Sequence, residues 1–115
     1  MFGRNGGVST PFGGFPAITA AGMGLESNGD IVELGTLANG SLGAFGLVRY
    51  TSQGQLDTGF GTGGTVTTSF GSNATTTASG IAVQSDDKIV VAGTVVTVAL
   101  HGQFVTSLVV ARYLK

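Results

Sequence analysis

"GMGLESNGDIVELGT", Gly22–Thr36, returns as "GIAVQSDDKIVVAGT", Gly80–Thr94, at a spacing of 58 residues (80 − 22). The match extends outward from there. At the same spacing Phe2–Thr36 aligns with Phe60–Thr94 without a gap, with identities at Phe2/Phe60, Val8/Val66, Phe12/Phe70, Gly22/Gly80, Ile31/Ile89 and Gly35/Gly93. It resumes at a spacing of 63 (110 − 47), where "LVRY" (Leu47–Tyr50) meets "VARY" (Val110–Tyr113). The second copy thus carries five extra residues (63 − 58) between its middle strands. Repetition at this period marks a solenoid, a propeller or an array of small domains.

Each unit reads as four strands. In "GGTVTTSF", Gly63–Phe70, Val66, Thr68 and Phe70 alternate with Thr67 and Ser69, the period of a strand with one dry face. "SGIAVQS" follows and ends in the turn Ser85–Lys88; its counterpart is Ser27-Asn28-Gly29-Asp30, where Asn-Gly predicts a two-residue hairpin. "KIVVAGTVV" (Lys88–Val96) and "SLVVARY" (Ser107–Tyr113) are apolar on both faces, joined by a hairpin near Asn39-Gly40 or His101-Gly102. Strands without a wet face are sandwiched. Repeated four-stranded antiparallel units with apolar middle strands and a threonine-rich outer one describe propeller blades stacked face to face. The reading is all-β: two four-stranded antiparallel blades per chain, unit 1 over 1–59 with its outer strand first, unit 2 over 60–115.

Composition bounds the rest. The 115 residues allow one domain of ordinary size, and 42% hydrophobic content supplies a core despite 21 glycines. Five Lys and Arg against six Asp and Glu form no basic stripe, so no nucleic-acid partner is expected. No basic amphipathic segment or long apolar run suggests a membrane. "MFGRNGGVST" lacks the apolar core of a secretory signal. With no cysteine, disulfides, zinc–thiolate sites and thiol catalysis are excluded together.

The residues "ARY", Ala111–Tyr113, "QGQLDTGFGTGGTVTTSFG", Gln53–Gly71, and "GIAVQSDDKIVVAGT", Gly80–Thr94, resemble the delta-60 repeat, a propeller-type repeat of large bacterial proteins. Gln53-Gly54 and Asp86-Asp87 depart from the Asp-Gly turns that family favours. The resemblance implies an extracellular or cell-surface location in bacteria.

Two blades leave an apolar face open at each end of the pair. About six buried aliphatic or aromatic side chains at about 2 kcal/mol each make such a face worth about 12 kcal/mol. That matches the whole net stability of a domain, about 5–15 kcal/mol. The expectation is a homo-oligomer in which Gly6–Phe12 of one subunit completes the last blade of a neighbour. A head-to-tail contact closes into a ring or runs on as a filament. Three chains, the favoured number, give six blades and four give eight, within the range of about four to eight. The other expectation is a fragment of a larger secreted repeat protein.

Candidate sites are few. His101, the sole histidine, aligns with the Asn39-Gly40 turn and reads as a turn residue. Arg49 and Arg112 recur in both units before a tyrosine, as anchors for a ligand carboxylate or sugar or as partners of a carboxylate such as Asp57. Glu33 puts a charge where its counterpart is Val91, facing a channel, an arginine or a ligand pocket. Asp86, Asp87 and Asp57 lack the alternating spacing of a calcium loop, so no metal or other cofactor is expected. "GFGTGG", Gly59–Gly64, precedes a strand instead of the helix that a phosphate loop needs. Asn39 and Asn73 fit the glycosylation pattern formally. No catalytic residue is assigned. The resulting expectation is a non-enzymatic structural or binding module; a lectin-like glycan binder with sites between blades is the alternative, weakened by the absence of tryptophan.

Overall fold

In the computed structural model residues 2–40, 42–71 and 74–114 are described. They form seven strands: β1 (Ala17–Leu25), β2 (Ile31–Asn39), β3 (Leu42–Tyr50), β4 (Thr65–Ser69), β5 (Thr75–Val83), β6 (Ile89–Val98) and β7 (Phe104–Tyr113). All pairings are antiparallel. Sheet I has the order β1-β2-β3-β4 and sheet II the order β5-β6-β7. Apart from one turn of 3-10 helix at Leu100–Gly102, the described chain contains no helix.

The repeat is visible in the registers. β1 opposes β2 with a shift between Ala20 and Gly22, and β5 opposes β6 with the same shift between Ala78 and Gly80. Ile31 faces Tyr50 across β2–β3, as Ile89 faces Tyr113 across β6–β7. Sheet and repeat boundaries do not coincide: β4 belongs to the second copy by sequence, yet it pairs with β3.

The sheets pack face to face and bury one apolar face of each between them. Val32 and Leu34 on β2 and Phe45 and Leu47 on β3 meet Ala78, Ile89 and Val91 of sheet II, with Phe60 from the connection. Phe70 meets Phe45 edge-on, ring centroids 5.3 Å apart. Small residues permit the close approach: a Cβ on Gly93 would stand 2.6 Å from Phe45 Cζ. At the core's edge, the Ala78 amide, beside the register shift of β5, donates to Thr36 Oγ1 at 2.9 Å.

Two local expectations change. The β1–β2 hairpin is longer than two residues. Glu26 N–H donates to the Asp30 carbonyl (2.9 Å) and Gly29 N–H to that of Glu26 (3.0 Å). Only Gly29 has a positive φ, 91°, because the Asn28 carboxamide oxygen accepts from Asp30 N–H and holds the turn another way. Second, Phe2–Phe12 is not a strand. It holds one bridge, Arg4 to Gly7, and no strand lies beside it to complete a ladder.

This segment nevertheless copies the start of β4. The Arg4–Gly7 bridge repeats as Thr62–Thr65, 58 residues on (62 − 4). Gly3, Asn5 and Gly6 have φ of 57°, 55° and 87°; Gly61, Gly63 and Gly64 have 56°, 63° and 99°. Thr10 Oγ1 hydrogen-bonds Tyr50 Oη at 2.6 Å, as Thr68 Oγ1 hydrogen-bonds Tyr113 Oη. The N-terminal segment therefore lies on the outer face of sheet I as β4 lies against sheet II.

Candidate functional site

The two outward faces have unlike fates. By the alternation of the strands, sheet I turns Ile31, Glu33, Gly35 and Leu37 of β2, and Ala44, Gly46, Val48 and Tyr50 of β3, away from sheet II. The N-terminal segment lies over this face, and Leu37, Val48 and Tyr50 are buried. On sheet II the outward face carries Val90, Ala92, Thr94, Val98, Phe104, Leu108, Val110 and Arg112. It is bare: Leu108 is 89% exposed and Val110 71%. Their counterparts Phe45 and Leu47, on the equivalent face of sheet I, are each 1% exposed, because sheet II covers them.

Between the sheet I turns lies a charged cluster. Arg49 Nε donates to Asp57 Oδ2 at 2.9 Å, and Nη1 lies 3.3 Å from Glu26 Oε2. The guanidinium also sits 4.6 Å from the centroid of the Phe60 ring. Glu26 is only 6% exposed, and burial pushes its carboxyl above the usual 4.5, with Arg49 opposing that rise. Arg49 is therefore bound to carboxylates in the chain. Ser27 N–H and Oγ donate to the Asp87 carboxylate, tying the β1–β2 turn to the β5–β6 turn.

The structure does not bring Glu33, Arg49 and Arg112 together. Glu33 pairs with Val48 in register, which places it on the face opposite to Arg49. It lines a groove between the N-terminal segment and sheet I with Ser9, Thr10 and Tyr50. Arg112 is exposed on the bare face of sheet II. Among the described residues neither Glu33 nor Arg112 forms a salt bridge.

His101 occupies the left-handed turn position, φ 68°. "GFGTGG" leads into β4 through Gly61 and Gly64, both with positive φ. Asn39 Nδ2 donates to Gly14 O at 2.8 Å, and Asn73 lies outside the described residues. Among the described residues no three His, Asp or Glu side chains gather as metal ligands would. Among the described residues no helix is long and apolar enough to cross a membrane.

Glu26 and the Thr–Tyr pairs were not singled out from sequence. The pairs had a signal: Thr10/Thr68 and Tyr50/Tyr113 are identical across the repeat. No protein-family model, curated protein or solved structure matches the chain.

Proposed function

We propose that the chain is a non-enzymatic structural and binding module, a two-blade propeller unit that assembles head to tail with copies of itself. Sheet I is one blade and sheet II is a second that awaits its fourth strand. Gly6–Phe12 of a neighbouring subunit supplies that strand, and three chains give a six-bladed ring. The supporting observation is the contrast between Phe45 and Leu47, each 1% exposed, and Leu108 and Val110, 89% and 71% exposed on the repeated strand. A bare apolar face beside an unpaired strand edge favours association. The resemblance to the delta-60 repeat supports a cell-surface or extracellular setting for such a scaffold.

Sedimentation equilibrium tests the reading. A mass three or four times the 11.4 kDa of the chain is expected. A cooperatively folded species of 11.4 kDa at high concentration overturns it. A second reading, glycan binding between blades, is favoured by the groove that gathers Glu33, Ser9, Thr10 and Tyr50. A glycan array decides it: binding abolished by Glu33→Ala supports the lectin, and no binding leaves the scaffold.

A further inference from the structure

Two contacts made inside one chain, one between the sheets and one between β3 and the β3–β4 connection, have counterparts whose members are divided between the two outward faces. Ala78 N–H donates to Thr36; the repeat places Ala20 on sheet I and Thr94 on the bare face of sheet II. Arg49 covers the Phe60 ring; the repeat places Arg112 on the bare face and Phe2 at the start of the N-terminal segment. Thr68 bonds Tyr113; the corresponding pair, Thr10 and Tyr50, is already closed within the chain. One molecule cannot bring the first two pairs together, because their members lie on opposite outer sides of the two-sheet stack.

We propose that the bare face of sheet II receives the outer face of sheet I of a second copy, in the geometry that sheet II and sheet I already have within the chain. This rests on the self-assembly reading and specifies its interface. The N-terminal segment stays seated on its own sheet I and at the same time pairs with β7 of the neighbour, so docking requires no strand to be pulled out.

The register follows from β3–β4, where Phe45 faces Thr68 and Leu47 faces Val66. Carried across the repeat, Thr10 of the incoming copy faces Leu108, Ser9 faces Val109 and Val8 faces Val110. Arg49 N–H donates to the Gly64 carbonyl at 3.2 Å, just beyond the paired strands. Antiparallel pairs alternate between hydrogen-bonded and non-hydrogen-bonded. Ala44–Ser69 is therefore a non-hydrogen-bonded pair, and so is its counterpart, Ser107–Pro11. The one residue of the incoming segment without an amide hydrogen falls where none is required, as a strand proline must.

Disulfide trapping between different copies tests the interface, on a background that contains no cysteine. Ser9→Cys protein is mixed with Val109→Cys protein under mild oxidant, and the size of the wild-type particle is measured in parallel. A mixed disulfide at 9–109, without one when Ser9→Cys meets Ser107→Cys or Ala111→Cys, supports the proposal. An oligomeric wild type, with the variants forming a disulfide at another pair or at none, overturns this interface and leaves self-assembly standing. A monomeric wild type overturns both. A 9–109 disulfide formed within a single doubly substituted chain, without oligomer, shows that the segment folds onto its own β7 and overturns the proposal too.

Discussion

Glu26 shows how one buried charge imprints a pH dependence on the fold. Its carboxyl is shielded from water beside Arg49, and desolvation outweighs the attraction, so the folded chain holds the proton more tightly than the unfolded chain does. The folded state then binds more protons than the unfolded state as pH rises from 4.5, and stability falls over that interval. Asp86 titrates in a different window: the Lys88 N–H holds it below 3.8, so its contribution is lost only in stronger acid. Unit 2 has Gln84 at the position of Glu26. Glu26→Gln is expected to abolish the decline in thermal midpoint above pH 4.5 while leaving the acid limb unchanged. Thermal melts of both proteins across that range check this, and a parallel decline in the variant contradicts the assignment to Glu26.

At the level of the strand, the same position does different work in the two copies. Phe45 on β3 is fully enclosed between the sheets, against Phe70 and the backbone of Gly93. Phe45→Ala is expected to cost about 3–5 kcal/mol in urea unfolding, since it removes a large ring from a site that cannot collapse onto it. Leu108, its counterpart on β7, is bare in the single chain. Leu108→Ala is expected to change the stability of the dilute chain by no more than about 0.5 kcal/mol. The same substitution should lower the oligomer mass at a given concentration. Equal losses of chain stability from the two substitutions would mean that Leu108 is covered within the monomer.

For the whole molecule, the fit between the outer faces carries a built-in penalty. Glu33 of the incoming copy would meet the bare face of sheet II at the place where Val91 meets sheet I, fully buried. Ala92 stands on the bare face where sheet I has Leu34, so the receiving side is smaller opposite the larger residue. A carboxylate closed into an apolar seam loses its hydration, a cost that stands unless a cation of the facing sheet reaches it. Glu33→Val is therefore expected to tighten self-association at least about tenfold, an effect of about 1.4 kcal/mol. Sedimentation velocity over a dilution series measures it. Weaker association of the variant would mean that Glu33 finds a partner in the seam, with Arg112 the nearest candidate on that face.

The sequence by itself determined the strands, their apolar faces and the twofold copy, because alternation and self-identity are local properties of the chain. It also located the turns, down to the left-handed position of His101. It did not determine that Phe2–Phe12 lies unpaired on sheet I. Nor did it separate Glu33 from Arg49, since the face a residue takes depends on its pairing register. Only the tertiary structure decided which of two like-patterned faces is dry. Phe45 and Leu108 stand in equivalent apolar runs, and burial depends on what lies opposite a strand, which its own residues do not encode.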